Sequence, residues 1–462
     1  MTIPRWAGPE TSERELDNTR AQVRRQSLRR LRAFSVILLA VLAGCHLAVK
    51  PDRDSLLQTD GPYRYPVSDP IAASVVGTPV ELQPTLPRDI LIEQAQLPLL
   101  VHRRVPDVLW YEDAYRYSLA AQPGEAPLIF IVAGTNASHN ARFSVFLQKV
   151  FYMAGYHAVS LSSPTYPNFM VTASSTGVPG RTSQDAADLY AAMQQVLADV
   201  RQRVAVSSVS LAGYSLGGWV SAFVANLDAK EGALRFDKVL LINPPVSLYR
   251  SSRVLDRLLT DNLPGGVESL DAFVDRVLAR LTPVYQRSEA ADFSQDFLYR
   301  AYQQLEPSPQ ELKALAGVAF RLSAANIAFT ADVISHSGYL VPPGRRLTVA
   351  SNLSPYFGAA MRRGFVDYLD DLLDPYYERL DPSITRQELI AESSMERIAP
   401  FLASSPNIGL VTNEDDIILA SGDIEFLKRT FGERATIFPN GGHCGNIQDR
   451  HVVAAMLRFL AQ

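Results

Sequence analysis

The chain has few cysteines and no recognisable cofactor motif. Its 462 residues contain two cysteines, Cys45 and Cys444, whose surroundings differ, so it is not a scaffold built on disulfides. It also lacks the glycine-rich loop that binds phosphates and the spacing of ligands that is typical of a metal site. The sequence therefore implies no cofactor.

Positive charge is scarce outside the N-terminal segment. The net charge is -4, and the first 44 residues contain eight arginines against four acidic residues, so the remainder is clearly acidic. Such a balance argues against nucleic acid as a partner. Hydrophobic residues make up 47% of the chain and charged residues 20%, which is enough apolar material for a large buried core.

Long apolar runs are missing as well. The run from Ala33 to Gly44 has twelve residues, follows a group of arginines and is interrupted soon afterwards by His46 and Lys50. A helix that crosses a bilayer needs about 20 apolar residues, so a stable span is not expected. Basic residues followed by a short apolar run are typical of a secretory signal peptide, which we predict for residues 1–44.

The apolar run ends at Cys45. Leu42-Ala43-Gly44-Cys45 resembles the lipobox of bacterial lipoproteins. The resemblance implies cleavage before Cys45 and lipidation of its thiol, and two or more acyl chains anchor a protein stably. His46, in place of an aspartate, resembles lipoproteins sorted to the outer membrane. We therefore expect a cell-envelope protein on the periplasmic face of that membrane; a chance cysteine after an apolar stretch is the alternative.

The rest of the chain changes pattern several times. Residues 45–98 are rich in Pro, Asp and Ser and are predicted to form a tether and an extended lead-in. Residues 99–245 then alternate between strand and helix patterns, as in a parallel sheet. The predicted strands there are 108–119, 127–133, 157–162, 206–212 and 237–243, with a helix at 182–200.

Helical periodicity dominates the next part of the chain. Residues 246–399 are predicted to form amphipathic helices, including 271–281, with capping boxes at Ser308 and Thr385. Strand patterns return at 407–412 and 435–438, before a helix at 451–460. The sequence thus predicts an α/β fold with a mostly parallel central sheet, built from residues 99–245 and 400–462 and interrupted by a helical cap at 246–399.

A serine lies at the turn between a predicted strand and a predicted helix. Gly213-Tyr214-Ser215-Leu216-Gly217 matches the nucleophile elbow G-x-S-x-G. Glycines are needed there because the turn is tight and side chains would collide with neighbouring backbone. The turn exposes the Ser215 hydroxyl as a nucleophile. It also places the Leu216 N–H at a helix N-terminus, where a developing oxyanion is stabilised.

A serine hydroxyl needs a general base. His443 is the predicted base because Gly441 and Gly442 frame it after a strand, a setting that the other six histidines lack. Three adjacent acids, Glu414, Asp415 and Asp416, follow the strand at 407–412, and a shift of the loop by one residue would exchange them. Cys444 is predicted to be a packed thiol, because a residue adjacent to the base points away from the imidazole.

Residues 127–243 and 407–460 together resemble the α/β-hydrolase superfamily of serine hydrolases. The resemblance implies a triad in the order Ser, acid, His, and its acid loop has an Asp followed by any residue and two aliphatics. That pattern selects Asp415, with Asp416 and Glu414 as alternatives.

The resemblance also implies a second oxyanion donor after the strand that ends at Ala133. Gly134-Thr135-Asn136 stands there in place of the common His-Gly pair. The Thr135 N–H is the predicted donor and the Asn136 N–H the alternative.

The implied chemistry is acyl transfer through an acyl-enzyme. His443 would take the Ser215 proton, Asp415 would orient the imidazolium, and water would release the acyl group. A membrane-anchored carboxylesterase or lipase acting on lipid-like esters is the favoured hypothesis. An acyltransferase with the same triad and a non-catalytic binding lipoprotein on this fold are the alternatives.

Overall fold

The computed structural model of the chain describes residues 50–100, 103–273, 275–276, 302 and 306–462. The predicted signal peptide, Cys45 and most of the second half of the predicted helix 271–281 lie outside these residues. Everything below concerns the unit Pro51–Gln462.

Within the described residues, eight strands form one sheet in the order β1-β2-β4-β3-β5-β6-β7-β8. The pairs β1–β2 and β2–β4 are antiparallel, whereas all other neighbours are parallel. The mostly parallel sheet confirms the predicted fold class. The strands are Glu93–Leu97 (β1), Tyr115–Ala120 (β2), Ala126–Val132 (β3), His157–Leu161 (β4), Val206–Tyr214 (β5), Val239–Ile242 (β6), Ile408–Asn413 (β7) and Ala435–Phe438 (β8).

The helices fall into three groups along the chain. Two precede the sheet, at Arg53–Leu57 (α1) and Pro70–Val76 (α2). Those that connect the strands up to β6 are Arg142–Met153 (α3), Pro167–Thr172 (α4), Thr182–Val200 (α5) and Leu216–Glu231 (α6). Further helices within the described residues are Leu248–Thr260 (α7), Pro309–Ser335 (α8), Ser354–Met361 (α9), Phe365–Tyr368 (α10), Asp374–Leu380 (α11), Arg386–Glu392 (α12), Ala399–Ser404 (α13), Asp423–Phe431 (α14) and Arg450–Ala461 (α15).

The register of the parallel strands gathers the site at one edge of the sheet. Val132 of β3 pairs with Gly213 of β5, and Tyr214 pairs with Ile242 of β6. Ile242 in turn pairs with Val411 of β7, and Asn413 pairs with Phe438 of β8. Loops after parallel strands all emerge at the carboxyl edge of a sheet, so the segments after β3, β5, β7 and β8 lie side by side.

The helical cap interrupts the sheet between β6 and β7. Helix α8 begins with the predicted capping box, in which the Ser308 hydroxyl and the Glu311 carboxylate each accept from the other residue's backbone. By length and composition α8 could cross a membrane, but 56% of its most apolar stretch is buried inside the structure. Gly317 allows its close approach to α7, since a Cβ there would lie 2.5 Å from the Leu259 nitrogen.

Two predictions for the N-terminal part of the described chain are wrong. Residues 108–119 do not form one strand, because β2 begins at Tyr115 and a 3₁₀ turn occupies Asp107–Leu109. Residues 51–97, part of the predicted tether and extended lead-in, instead form two helices and β1 and pack on the core. The Asp69 side chain caps α2 by accepting from the Ala72 N–H at 2.7 Å, and the buried Tyr65 hydroxyl donates to carbonyl oxygens of Gly77 and Gly445.

Candidate active site

Ser215 lies in a strained turn between β5 and α6. Its φ of 55° and ψ of -126° are unfavourable for a residue with a side chain, and such strain is typical of functional sites. A Cβ at Gly213 would lie 2.2 Å from the Gly217 oxygen, and one at Gly217 would lie 2.1 Å from the Val132 oxygen. Only glycine fits at both positions, which gives the predicted G-x-S-x-G motif its steric reason.

The imidazole of His443 contacts Ser215, the predicted nucleophile, directly. His443 Nε2 is 2.8 Å from Ser215 Oγ, and Nδ1 is 3.0 Å and 3.1 Å from the two carboxylate oxygens of Asp416. The three side chains therefore form a continuous hydrogen-bonded chain, with the base between hydroxyl and carboxylate.

The structure corrects the prediction that Asp415 is the acid. Its carboxylate accepts from the Gly441 and Gly442 N–H groups at 3.2 Å and 2.9 Å, so it holds the histidine loop rather than the ring. The reason is a shift of one residue: β7 extends to Asn413, whereas the predicted strand ended at 412. Glu414, the other alternative, pairs with Lys428 at 2.8 Å on the surface.

Asp416 is buried and fixed by the sheet. One of its oxygens accepts from Asn243 Nδ2 at 2.8 Å, and the other accepts from the Ile418 N–H at 3.1 Å. Burial lowers the pKa of His443, but the Asp416 carboxylate and, to a smaller extent, Cys444 together hold that pKa well above its usual value. A carboxylate in this position is suited to stabilise an imidazolium at His443.

The lead-in contributes a contact that sequence reasoning missed. The Ser74 hydroxyl of α2 accepts from the His443 backbone N–H at 2.7 Å. Gly442, at a φ of 58°, lies so close to this helix that a Cβ there would be 2.2 Å from the Pro70 oxygen. Helix α2 therefore holds the histidine loop from outside the sheet. The signal for it was Asp69-Pro70, a helix cap followed by proline at the first helical position.

The loop after β3 contains Thr135 and Asn136, the two predicted candidates for the second oxyanion donor. The alternative, the Asn136 N–H, donates to Thr165 Oγ1 at 2.8 Å and is already engaged. The Thr135 N–H has no hydrogen-bond partner within the described residues, and Thr135 lines the cavity beside Ser215. Leu216 occupies the first position of α6, where its N–H has no intrahelical acceptor. This geometry favours Thr135 and Leu216 over Asn136.

Cys444 is buried, as predicted for a packed thiol, but its orientation differs from expectation. Its φ of 58° turns the side chain back, and Sγ lies 3.9 Å from His443 Nε2. The Ser215 hydroxyl is much closer to the same nitrogen, at 2.8 Å. The base is thus aligned with serine rather than with the thiol.

Two cavities meet at this site. The inner one, beneath the cap, has a volume of about 110 Å³, and the outer one about 480 Å³; Thr135, Ser215, Phe320 and His443 line both. Most of the inner wall is apolar, including Leu248, Leu255, Ile327, Leu369, Leu373, Leu389 and Ile418. Among the described residues, no cluster of His, Cys, Asp or Glu is suited to hold a metal ion.

Comparison with known proteins gives only distant structural likeness. No family model and no curated protein sequence matches the chain. Similar solved structures include the proline iminopeptidase of Mycobacterium smegmatis, at 16% identity over 80% of this chain and 99% of that chain, with a TM-score of 0.36. An esterase of Pyrobaculum calidifontis is 16% identical over 81% of this chain and 87% of that chain, with a TM-score of 0.35. A thioesterase domain from the curacin biosynthetic pathway is 14% identical over 80% of this chain and 99% of that chain, with a TM-score of 0.35.

The strand order, the elbow at Ser215 and the chain order Ser215, Asp416, His443 decide the fold. This is the α/β-hydrolase fold. Its strands β3 to β8 carry the site, and its cap covers the inner cavity.

The acid can be identified by comparing two matched variants. In Asp416→Asn the imidazole loses the carboxylate that orients it, so we expect fluorophosphonate labelling of Ser215 to slow by about 10³- to 10⁴-fold. Asp415→Asn keeps an acceptor for one of the two glycine N–H groups and does not touch the contact between Asp416 and His443, so it should slow labelling far less. The rate is measured by mass spectrometry on folded protein. Equal losses in both variants, or a greater loss in Asp415→Asn, would refute the assignment.

The raised pKa of His443 predicts the pH dependence of the same reaction. Only the neutral imidazole can accept the Ser215 proton, so labelling should rise with pH through an inflection above 6.5. Removal of the carboxylate in Asp416→Asn lowers the pKa of His443, so the residual rate should inflect at a lower pH. An unchanged inflection would show that Asp416 does not set the protonation of His443.

Proposed function

We propose that this chain is an ester hydrolase that forms an acyl-enzyme on Ser215. The 2.8 Å contact between Ser215 Oγ and His443 Nε2, with Asp416 behind the ring, carries the proposal. His443 takes the hydroxyl proton as Ser215 attacks the ester carbonyl, and it returns that proton to the departing alcohol. Water then attacks the acyl-enzyme by the same route.

The oxyanion of each tetrahedral intermediate needs two donors. The Leu216 N–H at the start of α6 provides one, supported by the helix dipole, and the Thr135 N–H provides the other. Gly134 lets this loop approach the elbow, because a Cβ there would lie 3.2 Å from Ser215 Cβ. Both N–H groups border the cavity that holds the scissile bond.

The two cavities suit the two halves of an ester. During turnover the acyl group stays while alcohol leaves and water enters, so the exchanging half belongs in the larger outer cavity. The acyl group then lies in the inner cavity, whose volume of about 110 Å³ is below the roughly 300–1,000 Å³ of sites for drug-sized ligands. This supports a carboxylesterase for short acyl groups rather than a lipase for long ones.

A chain-length series tests this function. With p-nitrophenyl esters from acetyl to palmitoyl, kcat/KM should be highest for short acyl groups and should be lost in Ser215→Ala. Leu369→Ala enlarges the inner cavity and should raise the relative kcat/KM for longer chains by about tenfold. Leu380→Ala, at an exposed position, is the control and should leave the profile unchanged.

Two outcomes would contradict ester hydrolysis. If Ser215 is acylated but the acyl group leaves only when an acceptor alcohol is added, the protein is an acyltransferase. If fluorophosphonate fails to label Ser215 at all, the chain is a non-catalytic member of the fold.

We also propose that a lipid on Cys45 holds the mature protein at the periplasmic face of the outer membrane. The arginine-rich segment, the twelve-residue apolar run and Leu42-Ala43-Gly44-Cys45 support this. The folded unit starts at Pro51, six residues after Cys45, so the connecting chain can span only about 20 Å. Esters in or near the membrane are therefore the expected substrates.

The anchor predicts a defined mature N-terminus. Mass spectrometry of the membrane-extracted protein should show a chain that begins at Cys45 and carries two or more acyl chains. The Cys45→Ser variant should no longer be found in the membrane fraction, while its Ser215 still reacts with fluorophosphonate. An unmodified chain that retains residues before Cys45 would contradict the proposal.

A further inference from the structure

A buried carboxyl group lies in the wall of the inner cavity. Asp185, in the first turn of α5, is 5% exposed and lines the same cavity as Ser215 and His443. The mechanism proposed above gives it no task. A carboxyl group buried in an apolar wall is costly unless donors surround it.

Asp185 has few donors. Its Oδ2 accepts from the Gly180 N–H at 2.7 Å, and within the described residues no other hydrogen bond and no cation reaches either oxygen. The negative charges of Asp188 and Glu392 act on Asp185 and disfavour its ionised form. Burial raises the pKa of Asp185 well above its usual value, and these two acids raise it further.

Other buried carboxylates of the chain differ in this respect. Asp332 accepts from three successive backbone N–H groups, at Tyr339, Leu340 and Val341. Asp228 accepts from the Tyr190 hydroxyl and from two backbone N–H groups. A carboxylate can accept about four hydrogen bonds, so these two groups are largely satisfied by the protein. Asp185 accepts one hydrogen bond from the described residues, so most of its acceptor capacity is unused, and it lines the cavity.

The neighbouring acids do not share this position. Asp188 accepts from the Ser175 N–H and Gln184, and Glu392 accepts from the Ser183 N–H and hydroxyl. Neither residue lines the inner cavity, whereas Asp185 does. Among the described residues that line the inner cavity, Asp185 carries the one carboxyl group; the other polar side chains there carry hydroxyl groups or, at His443, the imidazole. A few well-placed polar groups in an apolar pocket fix the orientation and identity of a ligand.

We propose that Asp185 is a specificity-determining residue that accepts a hydrogen bond from a hydroxyl or ammonium group on the acyl part of the substrate. The inference rests on the proposed function, because it requires the acyl group to occupy the inner cavity. A neutral or an ionised carboxyl group can accept from either donor, and no proton transfer is needed. The preferred substrates are then esters of short hydroxy or amino acids rather than of simple fatty acids.

Matched pairs of esters test the inference on the full-length protein in detergent. The p-nitrophenyl esters carry a hydroxyl or ammonium group at successive acyl carbons, from the third to the sixth, and each is paired with its methyl isostere. At one of these positions the protein should prefer the polar ester by about tenfold or more in kcat/KM, since a hydrogen bond to a charged or buried group is gained. A uniform preference for the methyl isosteres would overturn the inference.

Three variants separate recognition from a purely structural role. Asp185→Leu should reverse the preference, because the acceptor is replaced by an apolar side chain. Asp185→Asn keeps an acceptor for the Gly180 N–H, so it should fold even if the leucine variant does not; it should retain part of the hydroxyl preference and lose the ammonium preference. Asp188→Asn is the matched control and should leave every ratio unchanged. If a folded Asp185→Leu keeps all ratios, Asp185 only caps the Gly180 loop; if that variant does not fold, an ammonium preference that survives unchanged in Asp185→Asn overturns the inference.

A further experiment tests recognition by Asp185 in the case that the chain does not hydrolyse esters. If no ester is turned over although Ser215 is labelled, the same comparison is made with fluorophosphonates whose alkyl chains carry hydroxyl, ammonium or methyl groups. A preference in labelling rate that disappears in Asp185→Leu supports the recognition site without hydrolysis. Equal labelling rates for all three probes would overturn it.

Discussion

The hydrogen bond between His443 and Ser215 depends on four segments that are far apart in sequence. The elbow fixes Ser215, because Gly213 and Gly217 leave no room for a different turn. His443 stands on a loop whose backbone is held on one side by the Asp415 carboxylate and on the other by the Ser74 hydroxyl. The register of the parallel strands brings the elbow and the histidine loop to one edge of the sheet. The 2.8 Å contact between His443 and Ser215 therefore depends on the arrangement of the sheet.

Sequence reasoning found the parts of this arrangement that have local causes. The elbow could be predicted because its glycines are required by contacts within a few residues and with the adjacent strand. The helix Thr182–Val200 matched its predicted bounds, since its apolar spacing is set by one buried face. His443 followed from the glycines before it, which let the loop pack closely.

The choice between Asp415 and Asp416 could not be made in the same way. It depends on where β7 ends, and the last residue, Asn413, is held by Gly442 and Asn446 from the distant histidine loop. The lead-in was mistaken for a tether because its strand, Glu-Gln-Ala-Gln-Leu, lies at the sheet edge and has little apolar content. Its packing comes from long-range contacts, such as Tyr65 with Gly445, that no local pattern reveals.

Adjacent acids on one short loop have acquired different tasks through their donors. Asp415 accepts from the backbone N–H groups of Gly441 and Gly442 and so fixes the conformation of the histidine loop. Asp416 accepts from Asn243 and the Ile418 N–H, and its carboxylate contacts the imidazole of His443. The same reasoning extends to Asp185, whose single backbone donor leaves it incomplete within the protein. For a buried carboxyl group, the number and direction of donors therefore indicate whether it supports the fold, the base or a ligand.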